Sequence, residues 1–239
     1  MANSDSDDAG LVKTLADYPE VREALVRKLN AEALRAEHEA TVKEYETVAA
    51  RLVTDGGLRD EKDALASDRY HHTYQFVTQV TDSSVERCIE RLTVWDRQEP
   101  DCDIKIVFNS PGGSVIAGMA LFDFIAGLSR RGGGSHTITT LGLGYAASMA
   151  GILLQAGDQR LMGKQAWVLI HEISFQAIGK IGEVEDTTEW AKRICKRVVD
   201  IFASRSKMNP KYIEAHWKRK DWWLSSEECF KLGIVDAIV

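Results

Sequence analysis

The sequence lacks an apolar run long enough to span a bilayer, and its start lacks the charged and then apolar pattern of an export signal. We therefore expect a cytoplasmic protein with no membrane partner. Cysteine is also scarce, and Cys88, Cys102, Cys195 and Cys229 lie far apart, without the close pairs of metal sites or redox motifs. This spacing predicts reduced thiols and no bound metal.

Basic residues are in the minority. Lys and Arg total 30 against 36 Asp and Glu, which gives a formal net charge of −6. The basic clusters Arg130-Arg131 and Lys218-Arg-Lys220 are too short to form a nucleic-acid-binding tract. We therefore expect no nucleic-acid partner and interpret both clusters as solvated surface.

A glycine turn separates a predicted strand from a predicted helix in the middle of the chain. The strand is Ile104–Phe108, the turn is the Pro-Gly-Gly of residues 111–113, and apolar residues recur at helical spacing over 117–128. Two adjacent glycines leave backbone N–H groups open to a ligand, because no side chain blocks them. By itself the motif also fits an ordinary loop.

A second junction of strand and helix follows. Thr137–Leu143 predicts a buried strand, and small residues from about Ala146 to Gln155 predict a helix with Ser148 near its start. Unpaired N–H groups and the helix dipole at such a start favour an anionic neighbour, such as the oxyanion of acyl transfer. Alternatively, Ser148 could simply cap the helix.

Two further polar residues follow in the chain. His171 ends the apolar strand predicted over 166–170, and strand ends in α/β folds carry functional groups, so it could take the proton of Ser148. Asp221 comes just before a helical segment predicted to begin near Ser225. Considered alone, the histidine fits a surface residue and the aspartate fits a loop residue or a cap.

The motifs come in one order: Asn-Ser-Pro-Gly-Gly-Ser-Val, Ala-Ala-Ser-Met, Ile-His, Asp-x-x-Leu-Ser and a closing Gly-Ile-Val-Asp-Ala-Ile. In this order and at these intervals, the sequence from about Thr73 to Val239 resembles the proteolytic subunit of the Clp protease. The resemblance implies an α/β fold, the spiral of ββα units shared with crotonases, here with an N-terminal helical extension. It also implies a homo-oligomeric ring, with stacking of two rings as a further expectation.

The resemblance assigns roles to seven residues: the triad Ser148, His171 and Asp221, the oxyanion-hole residues Gly113 and Met149, and the substrate-binding residues Gly112 and Ser114. In the triad the serine is the nucleophile, the histidine is the general base and the aspartate orients the imidazole. Backbone N–H groups form the oxyanion hole. The implied function is a serine endopeptidase that cleaves unfolded or extended polypeptides through an acyl-enzyme, without a cofactor.

Departures from the family pattern bear on the partners. Glu172-Ile-Ser174 follows the histidine where the family usually has Gln-Pro. Lys105 and Val107 occupy positions where the family tends to carry aromatic residues that line a docking pocket for an ATPase ring. Lys220 replaces an arginine that contributes to ring contacts, which keeps the charge but loses the planar fork. An ATPase unfoldase is therefore an open expectation.

Another expected element follows the histidine. The segment Phe175–Gly182 and the helix after it match the strand and helix of the family's handle, through which two rings stack and whose edge helps to hold an extended peptide. Packing of this helix against its own sheet would account for its periodicity equally well.

The first third of the chain lies outside the resemblance. Residues 1–10 are small, polar and acidic, which predicts a disordered tail over 1–18. Charged and apolar residues from Pro19 predict a helix of about thirty-five residues that stops at Asp55-Gly-Gly57, followed by a polar linker from Leu58 to Arg69. This helix could be a surface helix packed on its own domain, or an assembly or adaptor arm that contacts another protomer or a partner. The predicted domains are 1–18, 19–69 and 70–239.

Two other functions stay open at this point. One is a Clp-like peptidase that works without an ATPase, such as a phage head-maturation protease, which would explain the missing docking aromatics and the helical extension. The other is a non-catalytic scaffold or acyl-CoA-binding protein of the crotonase fold, because a fold alone does not determine function. The complete Ser-His-Asp set favours a peptidase over this last class.

Overall fold

The computed structural model describes residues 18–239, which form two compact units, one ending at Ala64 and one comprising Leu65–Val239. The predicted acidic tail falls outside the described residues except for Tyr18. Helix α1 (Pro19–Leu65) makes up the described part of the first unit, and its last residue begins the second. The second unit contains, in chain order, β1 (Thr73–Phe76), α2 (Asp82–Gln98), β2 (Ile104–Ser110), α3 (Val115–Leu128), β3 (Ile138–Ala147), α4 (Met149–Leu153), β4 (Gln159–Met162), β5 (Trp167–Ile170), α5 (Ile181–Arg205), α6 (Pro210–Trp217), β6 (Trp222–Ser225), α7 (Ser226–Leu232) and β7 (Ala237–Ile238).

Helix α1 is longer than the sequence predicts. It runs for 47 residues, none of them buried, and continues through Gly56 and Gly57 to Leu65, so the predicted stop is wrong. Neither glycine has the positive φ of a glycine stop. Each costs the helix about 1 kcal/mol relative to alanine. The residues that follow are mostly good helix formers, so the helix extends into the predicted linker.

The strands of the second unit form one mostly parallel sheet. Its order is β1-β2-β3-β4-β7, with every neighbouring pair parallel. Strand β5 pairs in parallel with β3, and β6 pairs antiparallel with β5. Strand and helix alternate along most of this unit, as connections between parallel strands require. This mixed α/β architecture confirms the predicted fold class.

Strand β3 changes its neighbour partway along. Residues 139–142 pair with β4, whereas Tyr145–Ala147 pair with β5. Gly144, with a φ of 67°, lies between the two halves. The predicted helix start at Ala146 is wrong, because Ala146 and Ala147 are buried strand residues and the helix begins at Met149. Their small side chains fit where the sheet splits.

Helices α2 and α3 pack against the core of this unit. Helix α2 buries Val85, Leu92 and Trp95 at helical spacing, and α3 buries Leu121 and Ile125, which confirms the predicted apolar positions of α3. All four cysteines are free. Burial raises the pKa of the Cys229 thiol to about 12, so this thiol stays protonated near neutral pH.

The expected handle is only partly present. Helix α5 exists and buries Ala191 and Val198, but residues 171–180 belong to no strand of the described chain. Because these residues pair with no strand of the described chain, the strand of the expected handle is absent there. In residues 18–239, every helix is too short or too polar to cross a membrane.

Candidate active site

The predicted site residues follow the carboxyl ends of three parallel strands. The glycine loop follows β2, Ser148 follows β3 and His171 follows β5. Carboxyl ends of parallel strands share one edge of a sheet, where ligands bind in open α/β folds. Asp221 comes directly before β6, and because β6 runs antiparallel to β5, its start lies beside the end of β5.

The glycine loop is held by a short β-bridge to Val80. The Val80 N–H donates to the Gly112 C=O, and the Ser114 N–H donates to the Val80 C=O, each at 2.8 Å. Successive backbone groups of an extended chain point to opposite sides. The N–H of Gly113, between these two contacts, therefore faces away from Val80. A Cβ at Gly113 would lie 2.2 Å from the Val80 oxygen, so only glycine fits this bridge.

Ser148 occupies a strained turn between β3 and α4. Its φ of 55° and ψ of −123° are rare for a residue with a Cβ, and its side chain does not cap the helix. The capping alternative is therefore wrong. The Ser148 N–H donates to the Leu169 C=O of β5 at 2.9 Å, and the Gly151 N–H donates to the Ser148 C=O at 3.0 Å. Such a strand-turn-helix arrangement exposes the hydroxyl of a nucleophile above a sheet.

The glycine loop and the serine turn lie in direct contact. A Cβ at Gly112 would stand 2.8 Å from both the Met149 nitrogen and the Ser148 Cβ. Met149 is the first residue of α4, so its N–H has no acceptor within the helix. Its buried side chain anchors the turn, because a Cβ at Gly118 of α3 would meet it at 2.2 Å.

The register of β5 and β6 brings the histidine and the aspartate together. The last pair of their antiparallel ladder is Ile170 with Trp222. The next position of the same register sets His171 opposite Asp221. Side chains at opposite positions of antiparallel strands lie on one face, with Cβ atoms about 5 Å apart. His171 is half-buried and Asp221 is exposed.

One cavity of about 380 Å³ joins these groups. Six of the seven predicted site residues line it, namely Gly112, Gly113, Ser148, Met149, His171 and Asp221. Ser114 does not line this cavity. It is the N-cap of α3, where its Oγ accepts a hydrogen bond from the Ala117 N–H at 3.3 Å.

The three triad side chains are near one another but not yet bonded. Among the described residues, no hydrogen bond joins the side chains of Ser148, His171 and Asp221. In enzymes without substrate, such bonds are often long and tighten when substrate binds. No group of three or more His, Cys, Asp or Glu within residues 18–239 could hold a metal ion.

Sequence reasoning missed part of the cavity wall. Val198 and Phe202 of α5 line it, together with Ile152 and Ile173. Val198 and Phe202 are four residues apart, so the helical period predicts that they share one face of α5. The period does not predict that this face borders the site. Gln79, from the loop after β1, also lines the cavity. The cavity is therefore lined by these apolar side chains on one part of its surface and by Ser148, His171 and Asp221 on another.

A strained serine turn, an imidazole, a carboxylate and free backbone N–H groups around one cavity are the components of acyl transfer. The fold and the site together define the class of α/β serine hydrolases.

The comparisons with known proteins narrow this class. Residues 60–239 match the Clp protease family. The chain is 32% identical over 167 residues to ATP-dependent Clp protease proteolytic subunit 3 of Streptomyces coelicolor, covering 68% of this chain and 72% of that protein. It is 31% identical over 164 residues to the ATP-dependent Clp protease proteolytic subunit of Bacteroides thetaiotaomicron, covering 68% and 71%. The chain belongs to the Clp protease family and is a serine-type endopeptidase.

Proposed function

We propose that this chain cleaves peptide bonds of unfolded or extended polypeptides, with Ser148 as the nucleophile. His171 takes the proton from the Ser148 hydroxyl as the oxygen attacks the peptide carbonyl carbon. Asp221 orients the imidazole and stabilises the imidazolium that forms. The imidazolium then gives its proton to the leaving amine, and an acyl-enzyme on Ser148 remains. Water, activated by His171, hydrolyses this ester.

The observation that carries this proposal is the backbone of Ser148. A non-glycine residue held in a sparsely populated conformation costs about 1–3 kcal/mol, and such residues cluster at active sites. Ser148 has such a backbone and lines a cavity that His171 also lines. A serine needed only for capping would bond to the helix N–H groups, which Ser148 does not do.

Gly113 and Met149 form the proposed oxyanion hole. The Gly113 N–H faces away from the bridge to Val80, and the Met149 N–H starts a helix whose dipole favours negative charge. Loss of one oxyanion-hole donor typically costs about 10²- to 10³-fold in rate. Gly112 completes the floor, because any side chain there would crowd the Met149 nitrogen. The hole needs no metal or cofactor.

The decisive experiment is intact-mass analysis after treatment with a fluorophosphonate. We expect stoichiometric labelling of the wild type and none of Ser148→Ala, because only an activated serine attacks the phosphorus. Ser174→Ala is the matched control, since Ser174 is another hydroxyl on the same cavity, and this variant should keep the label. A folded Ser148→Ala protein that labels at the wild-type rate would refute the proposal.

We further propose that the chain works as a homo-oligomer that an ATPase supplies with substrate. The names of the two relatives describe those proteins as ATP-dependent. In this chain, three aromatic side chains on one face of the sheet are exposed: Tyr145 (37%), Trp167 (47%) and Trp223 (46%). Such an apolar face is typical of a protein interface. Degradation of a folded protein without any ATPase would contradict the ATPase part of this proposal.

A further inference from the structure

One hydrogen bond closes the open end of the ladder between β5 and β6. Glu172 directly follows His171 and is half-buried, and its Oε2 accepts a hydrogen bond from the Arg219 backbone N–H at 2.9 Å. Arg219 stands two residues before Asp221. The bond therefore links the loop that carries the proposed base to the loop that carries the proposed orienting carboxylate.

The Arg219 turn needs such a contact. Its φ of 56° is left-handed, which costs a residue with a Cβ roughly 1–2 kcal/mol. The turn is fixed on one side by the Lys220 N–H, which donates to the C=O of buried Trp217 at 3.0 Å. On the other side, Trp222 enters the ladder with Ile170. Between these two anchors, the Glu172 carboxylate accepts a hydrogen bond from the Arg219 N–H. Hydrogen bonds to a charged acceptor are stronger than those between neutral groups.

The bond between Glu172 and Arg219 restrains the distance between the side chains of His171 and Asp221. The ladder itself ends at Ile170 and Trp222, so the register alone does not hold His171 and Asp221 opposite each other. Because Asp221 is exposed, few contacts of its own side chain restrain it. The bond from Glu172 to the Arg219 N–H replaces the missing rung of the ladder.

We propose that Glu172 is a positioning residue, which holds Asp221 opposite His171 through its bond to the Arg219 backbone. This inference rests on the proposed triad. Glu172 acts as a hydrogen-bond acceptor in this role, and it does not touch the substrate. Glutamine keeps a side-chain oxygen that can accept the same bond, whereas alanine removes it.

The test compares fluorophosphonate labelling rates and the kcat and KM of a peptide substrate for full-length variants. We expect Glu172→Ala to lower the labelling rate and kcat by about 10- to 100-fold, the scale of a misplacement of about 1 Å, with KM little changed. Glu172→Gln should retain activity within about threefold of the wild type. Glu185→Ala, an exposed glutamate of α5, is the matched control and should behave as wild type.

A double-mutant cycle separates positioning from general structure. If Glu172 acts through Asp221, Glu172→Ala should slow labelling less than about twofold in an Asp221→Ala background, because two residues that act as a unit are not additive. Full multiplication of the two effects, equal loss in the alanine and glutamine variants, or a wild-type rate in Glu172→Ala would each overturn the proposal.

Two further variants distinguish loss of positioning from loss of folding and from failure of the triad proposal. Arg219→Gly removes the φ penalty but retains the N–H, so combining it with Glu172→Ala should restore folding if the alanine variant unfolds, while the labelling rate stays low. A restored rate in this folded double variant would contradict the positioning role. If Asp221→Ala alone labels like wild type, the triad proposal fails, independently of Glu172.

Discussion

At the scale of single residues, Gly112 leaves no room for a side chain beside Ser148. Its φ is 84°, and an added Cβ would stand 2.5 Å from the Ala147 oxygen and 2.8 Å from the Met149 nitrogen. The loop would have to move away from Ser148 to relieve these contacts. Such a movement would also displace the neighbouring Gly113 N–H. In the proposed mechanism, Gly112 therefore contributes through its small size rather than through a functional group.

We therefore predict that Gly112→Ala lowers kcat/KM for a peptide substrate by at least about 100-fold, the effect of losing an oxyanion-hole donor. Gly127→Ala is the matched control. Gly127 is in helix α3, and a Cβ there would meet nothing within 4 Å, so this variant should be active and more stable by up to about 1 kcal/mol. Wild-type activity in Gly112→Ala would contradict the proposed oxyanion hole.

The residues of the site were predictable to different degrees. The positions of Ser148 and His171 after predicted strands follow from hydrophobic patterning, whereas Asp221 was singled out only by the resemblance, and the pairing of β6 with β5 sets it opposite His171. Their catalytic roles stay predictions. Ser114 caps α3 and does not line the cavity, so its contact with substrate stays a prediction that rests on the resemblance alone. The bond from Glu172 to Arg219 could not be predicted, because it joins residues 47 positions apart through a backbone N–H, which no side-chain pattern encodes.

At the scale of elements, strand β4 is tied to the end of the chain through Arg160 and Asp236. The buried Arg160 donates from its Nε to Asp236 Oδ2 at 3.0 Å, and its Nη2 makes an ion pair with the other carboxylate oxygen. The Asp236 N–H donates back to the Arg160 C=O at 2.7 Å. Arg160 also donates to Gln155 and to the Arg205 C=O at the end of α5. The Asp236 carboxylate thus balances the positive charge of the buried Arg160 guanidinium, which also connects β4 to the end of α5.

This pair predicts an acid-sensitive contribution to stability. Burial alone would raise the pKa of Asp236, but the hydrogen bonds and charge of Arg160 outweigh it and hold the pKa below its ordinary value of 3.8. A lowered pKa in the folded state stabilises the protein above pH 3.8, and this contribution disappears as the pH falls through the folded-state value. Asp236→Asn should therefore lower the melting temperature at pH 7, and the deficit should shrink below pH 3.8.

The control for this prediction is Asp123→Asn, an exposed aspartate of α3 for which the structure shows no ion pair within the described residues. It should shift the melting temperature little at any pH. A deficit of Asp236→Asn that stays constant from pH 7 to pH 3.5 would mean that the carboxylate charge contributes nothing through this pair.

Elements were predicted best where burial follows a simple period. The apolar spacing of α3 and the run of β-branched and aromatic residues around Lys105 in β2 predict both elements directly. Strand β6 was missed, because Trp222–Ser225 is too short to show a pattern and is defined by its pairing with β5. The end of α1 was also misjudged, since Gly56 and Gly57 break a helix only when the chain turns there.

At the scale of the whole molecule, the aromatic face bears on assembly. Tyr145 pairs in register with Trp167, and Trp223 pairs with Leu169, two residues further along β5. Because side chains alternate along strands, the three aromatic residues share one face. Two of them, Trp167 and Trp223, belong to β5 and β6, whose adjacent ends carry His171 and Asp221. A neighbouring protomer packed on this face would restrain the same ladder, so assembly and alignment of the triad would be coupled.

We predict that the wild type runs on a sizing column as the proposed oligomer and that Trp167→Asp runs as a smaller species, because burial of a large apolar side chain contributes about 1.5–3 kcal/mol in each contact. Its fluorophosphonate labelling should fall together with the oligomer, although Ser148, His171 and Asp221 are unchanged. Tyr70→Asp, at another exposed aromatic residue, is the matched control and should keep both size and labelling. A monomeric Trp167→Asp protein that labels at the wild-type rate would show that the triad aligns without assembly. Retention of the large species would instead assign the aromatic face a role other than subunit contact.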